Sequence, residues 1–273
     1  MRTEATLHDG TTIEIEVQGS GPDLLLPVRP EPVEGPQADE MRKWGVDPAL
    51  GRSLIDGLAG ITRVIAFDYE GQVLSKPKPE TLTPTNIVAD ILAIADAAEA
   101  DRFLYYGYSW LAMVGLQVAV STDRLAGLAM GGYPPIDGPY RELLAVTTAG
   151  WELSTGAREL GGEDEWSNSS LSADQSRQFM TLYEELQGFD DRAALKGIDG
   201  PRLCFAGSND EIRYGPSWGD VVVNMARPLV DNQSELEGLG WRVNVLDGLD
   251  HMQAMQAPTV LPILREWLAT GDD

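Results

Sequence analysis

Arg102-Phe103-Leu104-Tyr105-Tyr106-Gly107-Tyr108-Ser109-Trp110-Leu111-Ala112-Met113-Val114-Gly115-Leu116-Gln117-Val118-Ala119-Val120 is the stretch whose reading decides the fold. Its first five residues are a short apolar and aromatic run of the kind that forms a buried strand. From Leu111 to Val120 the chain is almost wholly apolar over helical length. Gly107-Tyr108-Ser109 lies between the two, at a strand-to-helix turn. A serine placed there sits in a tight, strained backbone and projects its hydroxyl above the sheet edge. The helix N-terminus beside it offers unpaired N–H groups to an oxyanion. Ser109 is therefore the candidate nucleophile.

The flanking sequence repeats the alternation. Thr3–Leu7 and Thr12–Val17, joined through Asp9-Gly10, read as a β-hairpin, and Leu24-Leu25-Leu26 as a third strand. A loop follows that carries Pro27, Pro30, Pro32 and Pro36, a composition neither a helix nor a central strand tolerates. Ala49–Leu58 reads as a helix and Arg63–Phe67 as a strand ending at Asp68. Thr83-Pro84-Thr85-Asn86 caps a helix that continues through Ile94. Leu125–Met130 is the strand after the serine turn. Strands alternating with helices argue for an α/β fold, with a mostly parallel central sheet covered by helices on both faces.

Between about 137 and 196 no strand is expected, only helical stretches and the polar segment Gly161–Ser172. This interruption reads as a helical lid inserted over the sheet's C-terminal edge, leaving 1–273 a single domain. Alternation resumes with a strand at Arg202–Ala206, helical material from Ser217 to Leu239, a strand at Arg242–Leu246 and a helix at Pro258–Leu268.

Composition narrows the function. With 43 acidic against 20 basic residues and a formal charge of −23, the chain repels polyanions, so neither nucleic acid nor an anionic membrane is an expected partner. No apolar run is long enough to span a bilayer, and Met1–His8 lacks the apolar core of a signal peptide, so a cytoplasmic location is expected. Cys204 is the single cysteine and reads as buried filling. One cysteine and two distant histidines suggest no metal site, and no glycine-rich phosphate loop implies a cofactor. The expected partner is a small-molecule substrate.

A serine hydroxyl needs a base to take its proton. His8 lies in the N-terminal hairpin, away from the sheet's C-terminal edge, and reads as a surface or edge-strand residue. His251 follows the last strand through Asp247-Gly248-Leu249-Asp250 and falls on the sheet edge where ligands bind in open α/β sheets. A buried carboxylate should orient that imidazole. Asp210, reached from Arg202–Ala206 through Gly207-Ser208-Asn209, is the first choice; Glu211, Asp137 and Asp250 are its rivals.

Taken in order, the hairpin, Phe67-Asp68-Tyr69-Glu70-Gly71, the serine turn, Gly207-Ser208-Asn209-Asp210 and Gly248-Leu249-Asp250-His251 resemble the α/β-hydrolase family over nearly the whole chain. That resemblance implies the α/β-hydrolase fold, a triad at Ser109, Asp210 and His251, and a lid that selects substrate. It also implies an oxyanion hole formed by the Trp110 N–H and a second N–H from the loop after Leu24–Leu26. Two positions depart from the family pattern. Leu111 stands where a glycine usually follows the serine by two. Pro27-Val28-Arg29-Pro30 replaces the usual His-Gly pair, so the second donor is expected from Val28 or Arg29. Arg29 is also suited to hold a substrate carboxylate.

Tyr108, Tyr133 and Met252 lie beside the site in sequence and are candidate substrate contacts, with Met255 near them and Trp151, Trp166 and Tyr183 in the insertion. Apolar lining of this kind implies an apolar or aromatic substrate. The expected activity is cofactor-independent hydrolysis of a carboxylic ester or lactone. The alternative is a non-hydrolytic small-molecule binding protein on the same fold, with an impaired oxyanion hole.

Overall fold

The computed structural model describes residues 1–159 and 171–269. Among these residues ten strands and twelve α-helices follow in chain order. They are β1 (Arg2–Thr6), β2 (Thr12–Gly19), β3 (Asp23–Leu26), α1 (Gly35–Lys43), α2 (Leu50–Leu58), β4 (Arg63–Ala66), α3 (Tyr69–Ser75), α4 (Pro84–Ala97), β5 (Phe103–Tyr108), α5 (Trp110–Ser121) and β6 (Leu125–Gly131). After these come α6 (Tyr140–Thr155), α7 (Ala173–Glu185), α8 (Asp191–Leu195), β7 (Arg202–Gly207), β8 (Glu211–Arg213), β9 (Val222–Asn224), α9 (Ala226–Asp231), α10 (Gln233–Gly238), β10 (Trp241–Leu246), α11 (His251–Ala254) and α12 (Ala257–Ala269).

Eight strands form one sheet in the order β1-β2-β4-β3-β5-β6-β7-β10. β2 pairs antiparallel with both neighbours, and every pairing from β4 across to β10 is parallel. Alternate residues of the central strands feed two cores, as period-two side-chain geometry requires. Leu25, Ile65, Tyr105, Met130 and Cys204 face the layer that contains α4 and α5. Leu24, Val64, Tyr106, Ala129 and Phe205 face α2 and α12. With both faces covered, the strands read as continuous apolar runs, which is why the sequence displays them so plainly. α5 is buried from Leu111 through Ala119, as its lack of a polar stripe anticipates.

Three helices, α6, α7 and α8, lie between β6 and β7, with no strand there among the described residues. α7 starts at a capping box formed by Ser172 and Gln175. Trp166 and most of the polar stretch at 161–172 fall outside the described residues.

Two expectations need correction. The span 217–239 is not uniformly helical. A 3₁₀ turn at Pro216–Trp218 leads into β9, which pairs with β8 as a small hairpin, and helix begins only at Ala226. Positive φ at Gly219 and Asp220 turns the chain back at this point, which no helix permits. His8 is not a simple surface residue either. Its ring is only 11% exposed and its Nδ1 lies 2.9 Å from Asp90, which is fully buried on α4.

Candidate active site

β5 ends at Tyr108 and α5 begins at Trp110, leaving Ser109 alone to turn the chain. It does so at φ 56° and ψ −134°, a backbone conformation that L residues rarely adopt. The turn needs a glycine two places earlier, because a Cβ on Gly107 would lie 2.3 Å from the Leu111 carbonyl oxygen. Leu111 fits in the position that departs from the family pattern. Its side chain is buried, and its carbonyl accepts the Tyr105 hydroxyl at 3.0 Å. As the first residue of α5, Trp110 has a backbone N–H with no partner inside the helix.

Asp210 and His251 are brought together by two linked loops. Ser208 N–H donates to the Leu246 carbonyl at 2.8 Å and Asn209 N–H to the Leu249 carbonyl at 3.0 Å. Gly248 N–H donates to Ser208 Oγ at 2.8 Å. The close approach depends on Gly207, where a Cβ would lie 2.1 Å from the Leu249 carbonyl oxygen. The outcome is a fully buried Asp210 with both carboxylate oxygens 2.9 Å from His251 Nδ1. Tyr108 donates its hydroxyl to the His251 carbonyl at 2.7 Å and lays its ring 5.1 Å from the imidazole. Burial pushes the Tyr108 hydroxyl well above the usual tyrosine range, so it remains a donor.

The rival carboxylates are committed elsewhere. Asp250 caps α11 by accepting the Gln253 N–H at 2.8 Å. Asp137 pairs with Arg192 at 2.6 Å, and Glu211 accepts Asn224 Nδ2–H at 2.8 Å.

Ser109 and His251 line one cavity of about 350 Å³. Among the described residues no hydrogen bond joins Ser109 Oγ to the imidazole. Such contacts are often long in unliganded enzymes and tighten around substrate. Arg29, Val28, Tyr108, Trp110 and Met252 line the same cavity. Tyr133 does not. Its ring is fully buried and packs 6.1 Å from Tyr140, because Gly132 turns the chain at φ 61° toward the insertion immediately after β6. Val28 is removed as an oxyanion donor, since Pro27 folds the chain so that Val28 N–H donates to the Leu26 carbonyl at 2.9 Å. The other two candidate donors of the sequence, Arg29 and Trp110, both line the cavity.

Sequence reading missed one side of the cavity wall. Val33, Met41, Val46 and Pro48 line it from the proline-rich loop, α1 and the turn after it, and Glu70 lines it from α3. None of these lies on a periodic apolar stripe, and the reading of a helix-free loop through Pro36 is corrected by α1, whose first turn holds Pro36 where its missing N–H costs nothing. Glu70 accepts Trp110 Nε1–H at 3.1 Å. Partial removal from water within the cleft raises its carboxyl above the usual range; the Trp110 bond opposes that shift and neighbouring Asp68 adds to it.

No family model and no curated protein sequence matches the chain. Solved structures do. An esterase from Exiguobacterium antarcticum superposes with TM-score 0.64 at 17% identity, covering 98% of this chain and all of the other. A thermophilic esterase from Thermogutta terrifontis gives TM-score 0.61 at 18% identity over the whole of both chains. An enol-lactonase from Burkholderia xenovorans gives 0.60 at 15% identity over 97% and 99% of the two chains. The strand order, the strained serine between β5 and α5, and these end-to-end superpositions agree: the chain has the α/β-hydrolase fold.

Proposed function

We propose that the protein is a cofactor-independent serine hydrolase acting on a carboxylic ester or lactone with an apolar moiety. His251 takes the proton of Ser109 as the hydroxyl attacks the carbonyl carbon, while Asp210 fixes the imidazole and stabilises its cation. The backbone N–H groups of Trp110 and Arg29 receive the tetrahedral oxyanion. His251 then protonates the leaving alkoxide, and water repeats the sequence to release the acid and regenerate Ser109. The observation that carries this reading is a serine at φ 56° opening onto the same cavity as an imidazole held by a fully buried aspartate. Esterases and a lactonase among the similar structures support it. A fluorophosphonate probe tests it: wild type should be labelled and should turn over short p-nitrophenyl esters, and Ser109→Ala should do neither.

One observation favours a second reading, a non-hydrolytic binding protein. Pro27 and Pro30 carry no N–H and Val28 N–H is spent on the Leu26 carbonyl, so the loop's contribution to an oxyanion hole rests on Arg29 alone. A hole without that donor typically loses about a hundredfold or more in rate. Tight binding of an apolar ligand without labelling or turnover would select that reading.

A further inference from the structure

We propose that the apolar chain of the substrate runs from Ser109 toward a wall built by residues 33–48 and α11. In this arrangement the Trp110 indole is the partition between that cavity and α7. The proposal rests on the ester-hydrolase reading and makes Met41, Val46 and Trp110 specificity-determining residues.

The first ground is where the cavity lies. Its apolar walls are Val33, Met41, Val46, Met252 and Met255, and no described residue of the insertion takes part. The 33–48 segment is closed at its base by Val33 N–H donating to the Pro48 carbonyl at 2.9 Å. Gln256 Oε1 accepts Asp47 N–H at 3.1 Å, and Gln256 Nε2–H donates to the Met252 carbonyl at 2.6 Å. The segment is thereby fastened to the helix that carries His251, so wall and base form one assembly.

The second ground is the indole itself. Trp110 Nε1–H is fixed by Glu70, and the ring meets Phe179 of α7 edge-on at 5.4 Å. Behind it the insertion is bolted to the core. Gln175 Nε2–H donates to the Leu74 carbonyl at 2.7 Å, Gln178 Nε2–H to the Val73 carbonyl at 3.0 Å, and the Thr181 hydroxyl to the Pro79 carbonyl at 2.6 Å. The tryptophan therefore stands between reaction centre and insertion. Its ring lines the cavity and meets Phe179 of α7. The three methionines on the open side have unbranched, polarizable side chains that adapt to varied shapes. Such a pocket suits straight-chain acyl or alkyl groups and sets their length through the distance to Met41 and Val46.

The experiment measures kcat/KM for p-nitrophenyl acetate, butyrate, octanoate and decanoate, with active sites titrated by fluorophosphonate. Met41→Trp and Val46→Trp should each lower the octanoate-to-acetate ratio about tenfold or more, the scale on which a filled apolar subsite discriminates. Trp110→Ala should raise the decanoate-to-acetate ratio by opening the partition. Trp110→Phe, which keeps a ring against Phe179, serves if the alanine variant does not fold, and should move the ratio in the same direction by less. Leu144→Ala on α6 should leave the ratios within about twofold of wild type. A labelled, active wild type whose ratios respond to Leu144→Ala but not to Met41→Trp or Val46→Trp overturns the pocket assignment alone. A wild type that is neither labelled nor active overturns the hydrolase reading, and the assignment with it.

Discussion

The molecule contains two histidine–aspartate pairs of nearly identical inner geometry, and only one of them faces a cavity with a strained serine. In each, an imidazole Nδ1 lies 2.9 Å from a carboxylate oxygen of a fully buried aspartate, His251 on Asp210 and His8 on Asp90. The difference lies in what surrounds the pair. Asp90 also accepts the His8 backbone N–H at 2.6 Å and the Tyr69 hydroxyl at 2.8 Å, and His8 Nε2 is 3.1 Å from Thr81 Oγ1. Every polar atom there has a partner, and the cluster ties the β1–β2 hairpin to α4. His251 has only its Nδ1 engaged by a side chain, and its other edge belongs to a cavity. A dyad alone is thus a structural fastening; a neighbouring strained hydroxyl and a space for substrate make it a candidate for chemistry.

The largest predicted contrast is between the two imidazoles and their neighbours. Ser109→Ala or His251→Ala should lower kcat/KM on a short ester by a factor of about 10⁴ or more. His8→Ala should leave kcat/KM within about twofold and instead lower the unfolding free energy by about 3 kcal/mol, because a buried carboxylate loses its principal partner. Equilibrium urea unfolding measures the second effect. Asp210→Asn should lower kcat by about 10³- to 10⁴-fold with little change in KM, since it compromises the imidazole's orientation and cation without touching substrate. Asp90→Asn should act on stability and not on rate.

The smallest effect lies beside the structural pair. The buried Lys78 ammonium forms an ion pair with Asp9 in the β1–β2 turn. Partial burial raises the Asp9 pKa, but bonds from Lys78 and Thr11 outweigh it and bring it from 3.8 down to about 2. A carboxyl depressed on folding stabilises the folded state above its unfolded pKa and ceases to do so as pH falls through the folded value. Wild type should therefore lose about 1 kcal/mol between pH 4 and pH 2 that Lys78→Gln does not lose, part of the nominal gain being screened by water around this partly exposed side chain. Thermal unfolding of the two proteins across that range checks it.

Much of this was legible in the sequence because the central sheet is buried on both faces. Leu24–Leu26, Val64–Phe67 and Phe103–Tyr106 carry their fate in unbroken apolar runs, and the alternation of strands and helices put Ser109 and His251 at one sheet edge, with Asp210 first among rival carboxylates. The cavity wall was not legible, because Met41 and Val46 flank a turn where neither helical nor strand periodicity operates. Tyr133 misled for a similar reason. Nearness in sequence to a strand end does not say which way a ring turns once Gly132 has reversed the backbone. Nothing in the sequence marks the tight turn at Pro27 that commits Val28 N–H to the Leu26 carbonyl. The second dyad was hidden because His8 and Asp90 are 82 residues apart, and nothing local announces their contact.

Peptide mass spectrometry after exposure to a fluorophosphonate tests the central claim most directly. The account predicts one phosphonyl adduct, on the peptide containing Ser109, lost in Ser109→Ala and retained in His8→Ala. No adduct on that peptide, or one that falls instead on the peptide carrying Thr81 beside His8, would contradict it.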